Sequence, residues 1–271
     1  MRQWHLIYDK PTTGARNMAI DEALLESVAR GISPPTLRFY AWQPMCLSLG
    51  YGQRSADVDR VQLAQNGWGV VRRMTGGKAI LHGDELTYSL ALPAEHPITA
   101  GGIIESYRRI SQALLDGLNQ LGVQVQADKK ADGVKSIGPV CFETPSHYEI
   151  TASDGRKLVG SAQVRRKGGV LQHGTLPLFG DVARICDALI YDSPYEREEA
   201  RFHVRERATT LHDALGEIVN WETVAACMAQ SFATIFDVEM LPAVVSDIVP
   251  EEEVECLQQE TYANPERIYR L

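Results

Sequence analysis

The chain has 271 residues, of which 44% are hydrophobic and 23% are charged, a composition typical of a folded globular protein. Its 27 basic and 35 acidic residues give a formal charge of −8, which argues against general nucleic-acid binding because phosphate backbones attract a basic surface. No apolar run reaches the roughly 20 residues of a membrane-spanning helix and no signal-peptide pattern opens the chain, so we expect a cytoplasmic protein with no membrane partner.

Short apolar runs predict strands in the first two thirds of the chain, and apolar residues at three- and four-residue spacing predict helices. The predicted strands are residues 6–8, 37–40, 47–49, 70–71, 79–81, 86–92, 148–150, 157–162 and 169–178, the last two joined by a polar turn at 165–168. The predicted helices are residues 18–28, 103–121 (ending at Gly122), 182–189, 210–215 (capped by Thr210), 221–236 (capped by Asn220) and 251–260. Gly- and Pro-rich stretches at 93–102 and 132–145 are candidate mobile loops.

Strands followed by helices indicate an α+β fold with a mixed β-sheet. The length suits one large domain, with at most a small appendage. We therefore predict a single domain over residues 1–271 with a helical C-terminal portion from about residue 181.

The first unusual stretch runs from Arg72 to His82 and carries two arginines and the pair Gly76-Gly77 between two predicted strands. Glycine lacks a Cβ, so this backbone can approach a ligand closely. The alternative is a tight hairpin with solvated arginines, because the pattern is neither a Walker loop nor a dinucleotide fingerprint.

The second stretch places Cys141 in a Pro-bracketed loop, close to His147 and to two glutamates. A cysteine in such a loop can be exposed and reactive, whereas Cys186 and Cys227 lie on apolar helix faces and are interpreted as core residues. Five scattered cysteines without a Cys-x-x-Cys pair predict neither a disulfide framework nor a metal site. An inert, buried Cys141 is the competing interpretation.

The third stretch begins at Lys157, whose predicted strand continues into the small residues Gly160, Ser161 and Ala162. Small side chains leave space for a ligand beside the strand. His173 follows in the next predicted strand. Taken alone, Lys157 could equally be a solvated turn lysine and His173 an ordinary strand residue.

Together and in this order, the three stretches resemble the biotin/lipoate protein ligase superfamily, from about residue 18 to about residue 240. The shared motifs are Arg-Arg-x-x-Gly-Gly, Gly-x-Lys-x-x-Gly-Ser-Ala and His-Gly-Thr. The segment from Cys141 to Glu149, Cys-Phe-Glu-Thr-Pro-Ser-His-Tyr-Glu, is similar to the cysteine motif of the octanoyltransferases of bacterial lipoate assembly. Lys78 follows Gly76-Gly77 at the position where many ligases have a third glycine.

The resemblance implies the superfamily's catalytic-domain fold, a mixed β-sheet flanked by helices. It also implies an acyltransferase that carries octanoyl as a thioester on Cys141, with Lys157 as its catalytic partner. The substrate-binding residues that it implies are Arg72, Arg73, Thr75, Gly76, Gly77, Lys78, Ala79, His82, Gly160, Ser161, Ala162, His173, Gly174 and Thr175. No cofactor and no metal are implied.

The implied donor is octanoyl-acyl carrier protein, and the implied acceptor is a lipoyl-domain protein such as glycine cleavage H protein or a 2-oxoacid dehydrogenase E2. The turn Arg165-Arg166-Lys167, with Lys129, Lys130 and Lys135, is a candidate docking surface for an acidic carrier. The alternatives are an ATP-dependent lipoate-protein ligase, an octanoyl amidotransferase between lipoyl-domain proteins, and a non-catalytic acyl-binding protein.

Overall fold

A mixed sheet of eight strands forms the centre of the part of the chain that the computed structural model describes, residues 2–128 and 149–271. The strands of this sheet and of a second, smaller one are β1 (Arg2–Tyr8), β2 (Thr36–Tyr40), β3 (Cys46–Leu49), β4 (Gly69–Arg72), β5 (Ile80–His82), β6 (Glu85–Pro93), β7 (Val125–Asp128), β8 (Glu149–Ala152), β9 (Lys157–Arg166), β10 (Gly169–Pro177) and β11 (Val238–Pro242). The order in the sheet is β11-β1-β2-β6-β10-β9-β8-β7, and β4-β3-β5 form a smaller sheet. β1 runs parallel to both of its neighbours, and the remaining pairs of the large sheet are antiparallel.

Helices cover both faces of the large sheet. They are α1 (Gly14–Ala29), α2 (Arg60–Gln65), α3 (Ile103–Gln120), α4 (Pro194–Arg207), α5 (Leu211–Leu215), α6 (Trp221–Phe236), α7 (Glu251–Leu257) and α8 (Pro265–Ile268). Short 3₁₀ segments lie at Pro97–Thr99, Val182–Ala188 and Val245–Asp247, and a π-helical turn at Gln258–Tyr262 extends α7. No helix in the described ranges is long and apolar enough to cross a membrane.

The two faces of the sheet bury different residues because successive strand side chains point in opposite directions. In β2, Leu37 and Phe39 join the core beneath α3 and α6, whereas Tyr40 joins the core beneath α1 and α7. Arg38, on the α1 side, is completely buried. The face that packs on α1 therefore contains charged groups inside an otherwise apolar layer, and the candidate site lies there.

The structure confirms the predicted mixed sheet flanked by helices. Thr210 and Asn220 cap α5 and α6 as predicted, and Gly122 follows α3 with the left-handed φ of +91° that a helix-ending glycine adopts. β9 and β10 form a hairpin, and the positive φ values of Lys167 and Gly168 suit its two-residue turn.

Several observed elements were not predicted. α4 buries only Val204, so its charged sequence carries no apolar stripe. α2, β7 and β11 are four to six residues long, too short for a periodic pattern to stand out. The candidate loop at 132–145 lies outside the described residues, and so do Cys141, His147, Lys129, Lys130 and Lys135.

Candidate active site

A cavity of about 200 Å³ opens between α1, the small sheet and the hairpin of β9 and β10. Its lining comprises Met18, Tyr40, Trp42, Ser48, Arg73, Gly77, Lys78, Ile80, His82, Thr87, Lys157, Gly160, Ser161, Ala162, His173, Gly174 and Thr175. The structure therefore brings the first and third sequence stretches together around one cavity. Four predicted site residues, Arg72, Thr75, Gly76 and Ala79, lie close by in sequence but do not line it.

The segment between β4 and β5 forms one wall of the cavity and is held by Arg73. The buried Arg73 guanidinium donates hydrogen bonds to the carbonyl oxygens of Ser48, Gly76 and Lys78, at 3.0, 2.8 and 2.8 Å. Gly77 has a φ of +93°, which favours glycine. A Cβ placed on Gly50 would stand 1.8 Å from the Gly77 carbonyl oxygen. The glycines thus allow a compact wall, and Arg73 fixes its shape.

His82 contributes a second wall through a chain of buried hydrogen bonds. Its Nε2 lies 2.7 Å from Ser48 Oγ, and its Nδ1 lies 2.7 Å from Glu85 Oε1. The imidazole stacks on the Trp42 indole with the ring centroids 3.9 Å apart. Thr87 donates to Glu85 and accepts a hydrogen bond from Trp42 Nε1, so both rings are locked in place.

His173 belongs to a similar arrangement on the α1 side. Its Nδ1 lies 3.2 Å from Asp21 Oδ2 and its Nε2 lies 2.7 Å from Thr75 Oγ1. Burial lowers the pKa of His173, although the Asp21 carboxylate opposes this. A neutral imidazole whose Nδ1–H faces the carboxylate would accept the Thr75 hydroxyl at Nε2.

Asp21 is completely buried and connects this histidine to Arg38. Burial alone would raise the pKa of Asp21, but the hydrogen bond from His173 and the charge of Arg38 lower it overall. Arg38 Nη1 lies 2.9 Å from Asp21 Oδ1, and the Tyr40 hydroxyl donates to Asp21 Oδ2 at 2.9 Å. The carboxylate is therefore held by several partners beneath the cavity.

Lys157 brings a buried cation to the cavity. Its Nζ lies 3.1 Å from Glu149 Oε1, and both side chains are almost fully buried. A Cβ placed on Gly160 would lie 3.5 Å from Lys157 Cε and 3.9 Å from Thr175 Cγ2, so the glycine leaves open space beside the ammonium group. Glu149 follows the segment that contains Cys141, which lies outside the described residues.

The cavity combines an apolar surface with a few hydrogen-bonding groups. Met18, Trp42 and Ile80 can contact a hydrocarbon chain. The ammonium of Lys157 can stabilise a carbonyl or oxyanion. The buried Thr175 hydroxyl has no hydrogen-bond partner within residues 2–128 and 149–271, so it is also available to a ligand.

The other cysteines are poorly suited to nucleophilic chemistry, and none of the four lines the cavity. Burial and the nearby Glu85 raise the pKa of Cys46 to about 12. Burial and Asp116 raise the pKa of Cys227, and Glu260 raises that of Cys256. Cys186 is buried, as predicted for a core residue, and Cys227 is half-buried. A thiolate forms at neutral pH only when the thiol pKa is low.

The basic turn proposed as a docking surface is largely engaged with the chain itself. Arg165 donates to the carbonyl oxygens of Thr99 and Gly102, at 3.0 and 2.9 Å. Arg166 forms an ion pair with Glu22, and Lys167 forms one with Glu26. These contacts attach the hairpin to α1 and to the segment before α3.

Sequence reasoning missed the residues that support the predicted ones. Asp21 and Glu85 orient the two histidines, and Trp42 stacks on one of them. A signal for Asp21 was present, because Asn17, Asp21 and Glu22 place polar side chains on a helix whose other buried residues are mainly apolar. A buried carboxylate requires a partner, so the helix pattern alone could have predicted that Asp21 has one.

Comparison with known proteins places the chain in a defined family. Residues 13–233 match the family described as "Lipoyl protein ligase A/B catalytic domain". The chain is 43% identical over 249 residues to Octanoyltransferase LipM of Exiguobacterium sp., covering 89% of both chains. It is 41% identical to Octanoyltransferase LipM of Moorella thermoacetica, covering 88% of both.

Solved structures share the fold at lower sequence identity. A bipartite lipoate protein ligase from Thermoplasma acidophilum, studied with its E2 lipoyl domain, superposes with a TM-score of 0.80 at 20% identity, over 99% of this chain and 97% of that one. A lipoate-protein ligase A bound with ATP gives a TM-score of 0.77 at 23% identity, with both chains fully covered.

Proposed function

Because the chain belongs to the lipoyl protein ligase A/B catalytic-domain family and is an acyltransferase, we propose that it moves octanoyl from octanoyl-acyl carrier protein to a lipoyl-domain lysine through a thioester on Cys141. Its similarity to the octanoyltransferases supports octanoyl transfer in lipoate assembly. The acceptor is a lipoyl domain such as glycine cleavage H protein or a 2-oxoacid dehydrogenase E2.

The first half-reaction exchanges one thioester for another. The Cys141 thiolate attacks the carbonyl carbon of the donor thioester, and the tetrahedral oxyanion collapses with release of the carrier thiolate. A thioester is already activated toward attack, so this route consumes no ATP. In the second half-reaction, the neutral ε-amine of the acceptor lysine attacks the Cys141 thioester. The C–S bond breaks as the tetrahedral intermediate collapses, and the amine proton passes to solvent, which leaves the amide product and the Cys141 thiolate.

The observation that carries this proposal is the buried Lys157 ammonium beside the space left by Gly160. Transfer through a thioester twice creates an oxyanion, and a fixed cation in a water-poor cavity stabilises that charge strongly. Glu149 balances the ammonium from β8, so Lys157 stays in place between turnovers. His82 and His173 shape the cavity walls as substrate-binding residues.

Incubation with octanoyl-acyl carrier protein followed by intact-mass measurement tests the proposal. We expect a covalent octanoyl adduct without ATP, and its loss when a lipoyl-domain acceptor is added. An adduct formed only from an octanoylated lipoyl-domain protein would indicate an amidotransferase. Octanoyl or lipoate transfer that requires ATP, without a protein adduct, would indicate a ligase, and ligand binding with neither adduct nor transfer would indicate a non-catalytic protein.

A further inference from the structure

A second cavity, of about 240 Å³, lies next to the candidate active site and is strongly basic. Its lining includes five arginines, Arg72, Arg73, Arg166, Arg267 and Arg270, and one acidic residue, Glu22. The chain as a whole carries a formal charge of −8, so this concentration of positive charge is local. We call this cavity the arginine cleft.

Glu22, the acidic residue among the described residues of the cleft, is already paired. Glu22 Oε1 pairs with Arg166 Nη2 at 3.0 Å, and Glu22 Oε2 accepts the Tyr262 hydroxyl at 2.5 Å. Glu22 is also buried. With both of its carboxylate oxygens engaged, Glu22 leaves the charge of the other arginines available to an anion.

Arg72 is a buried member of the cleft with one unused donor. Its Nε donates to the Ile268 carbonyl oxygen at 2.8 Å, and its Nη1 donates to those of Gly50 and Gln53 at 2.7 and 2.6 Å. Its Nη2 is buried and has no hydrogen-bond partner within the described ranges. Burial and the nearby Arg270 lower the pKa of Arg72. A buried cation next to another cation gains from a bound anion.

The exposed edge of the cleft carries Arg267 and Arg270. Arg270 donates to the Tyr51 carbonyl oxygen at 2.9 Å, and its guanidinium stacks over the Tyr51 ring. This contact holds the side chain at the mouth without using the charge on a carboxylate. Planar guanidinium groups arranged around one space suit phosphate, which accepts several charge-assisted hydrogen bonds.

Arg73 joins the two cavities, because it lines both of them. An anion in the cleft would therefore lie close to the acyl cavity, with Arg73 lining both. We propose that the arginine cleft binds a phosphate group of the acyl donor, an inference that rests on the proposed function. That phosphate can belong to a phosphopantetheine thioester or to an acyl adenylate.

The test compares two donors that differ only in the phosphate, octanoyl-4′-phosphopantetheine and octanoyl-pantetheine. Arg267→Gln and Arg270→Gln should each lower kcat/KM about tenfold for the phosphorylated donor and leave it unchanged for the other. Arg205→Gln is the matched control, because it removes an exposed arginine of α4 that does not line the cleft. Equal effects on both donors, or no effect on any phosphorylated donor, would overturn the proposal.

Octanoyl-adenylate as a third donor identifies the source of the phosphate. A loss of kcat/KM confined to the adenylate would keep the phosphate site and assign it to a nucleotide. A loss confined to the phosphopantetheine thioester would assign it to the carrier arm. Raising the ionic strength should lower kcat/KM for the phosphorylated donors more than for octanoyl-pantetheine.

Pyrophosphate binding, measured by calorimetry, separates failure of this inference from failure of the proposed function. If the wild-type protein forms no octanoyl adduct, the thioester mechanism fails, but the cleft should still bind pyrophosphate, and the two variants together should weaken that binding at least tenfold. Undiminished pyrophosphate binding by the double variant would contradict the site whatever the fate of the adduct.

Discussion

Cys141 is the proposed nucleophile, and the cysteines that the structure describes give no rival to it. Cys141→Ala should abolish the octanoyl adduct, because alanine supplies no sulfur to form the thioester. Cys227→Ala and Cys256→Ala are matched controls that should keep the adduct, since the pKa of each of these thiols is raised and neither lines the acyl cavity. Intact-mass measurement checks all three, and an adduct on Cys141→Ala would end this mechanism.

For Lys157, two possible roles differ greatly in magnitude. Lowering a thiol pKa from about 8.5 to about 6.5 raises the thiolate fraction at pH 7 roughly 25-fold, but the weaker nucleophilicity costs roughly 8-fold, which leaves about 3-fold. Stabilising the oxyanion is typically worth about 10² to 10³ in rate. We therefore infer that Lys157 acts mainly on the developing oxyanion.

The double variant Lys157→Met with Glu149→Gln should form the acyl-enzyme about 10² to 10³ times more slowly, at pH 7 and at pH 9 alike. The second change is included because Lys157→Met alone would leave the buried Glu149 carboxylate without the cation 3.1 Å away. Glu149→Gln alone also breaks the buried pair but keeps the Lys157 amine in the cavity, so its rate of acyl-enzyme formation should stay within about tenfold of the wild type. Full recovery of the double variant at pH 9 would show that lowering the thiol pKa was the whole role.

At the scale of elements, the β9 and β10 hairpin contributes two glycines with opposite surroundings. A Cβ on Gly160 meets only ordinary contacts of 3.5 Å and more, whereas a Cβ on Gly174 would stand 2.6 Å from the Gly160 carbonyl oxygen. Gly160→Ala should therefore fold normally but occupy space beside Lys157, and lower kcat/KM about tenfold for octanoyl donors. Gly174→Ala should instead lower Tm. A Gly160→Ala enzyme of unchanged kcat/KM would place the thioester elsewhere.

The apolar part of the cavity, and not the Lys157 end of the hairpin, is expected to determine which acyl chain length is preferred. Each buried methylene is worth about 0.8 kcal/mol, so a hexanoyl donor should react roughly 15-fold less efficiently than octanoyl. Gly160→Ala acts at the Lys157 end and should preserve this ratio. Competition among six-, eight- and ten-carbon donors measures it, and equal rates for all three would contradict an enclosed acyl cavity.

The helices show which features of the fold could be predicted from the sequence. Residues 103–121 carry a regular apolar stripe and Thr210 is a typical cap, so α3 and the start of α5 were predicted. α4 lacks such a stripe, and its position depends on contacts with the 3₁₀ segment Val182–Ala188. Within the site, Lys157 and His173 were predicted from motifs. The contact between His173 and the Asp21 carboxylate was not, because a pairing across 152 residues leaves no local pattern.

At the scale of the whole molecule, three histidines with lowered pKa values make the stability of the folded state sensitive to acid. Burial lowers the pKa values of His173, His96 and His5 below the ordinary 6.5. Below pH 6.5 the unfolded chain therefore binds protons that the folded chain does not, and stability falls as the pH falls. Asp21 also has a lowered pKa, but its contribution is lost only near and below its ordinary value of 3.8.

Between pH 6.5 and 5 the histidines should therefore dominate, and the buried His173 should lower the free energy of unfolding by up to about 1.4 kcal/mol per pH unit. His173→Gln removes the most deeply buried of the three and should make this decline shallower, even if the variant is less stable at pH 7.5. His203→Gln, at an exposed position of α4, is the matched control. Urea unfolding at pH 7.5, 6.5, 5.5 and 5.0 measures the slopes. The same slope in His173→Gln and in the wild type would show that His173 is protonated in the folded protein as readily as in the unfolded chain.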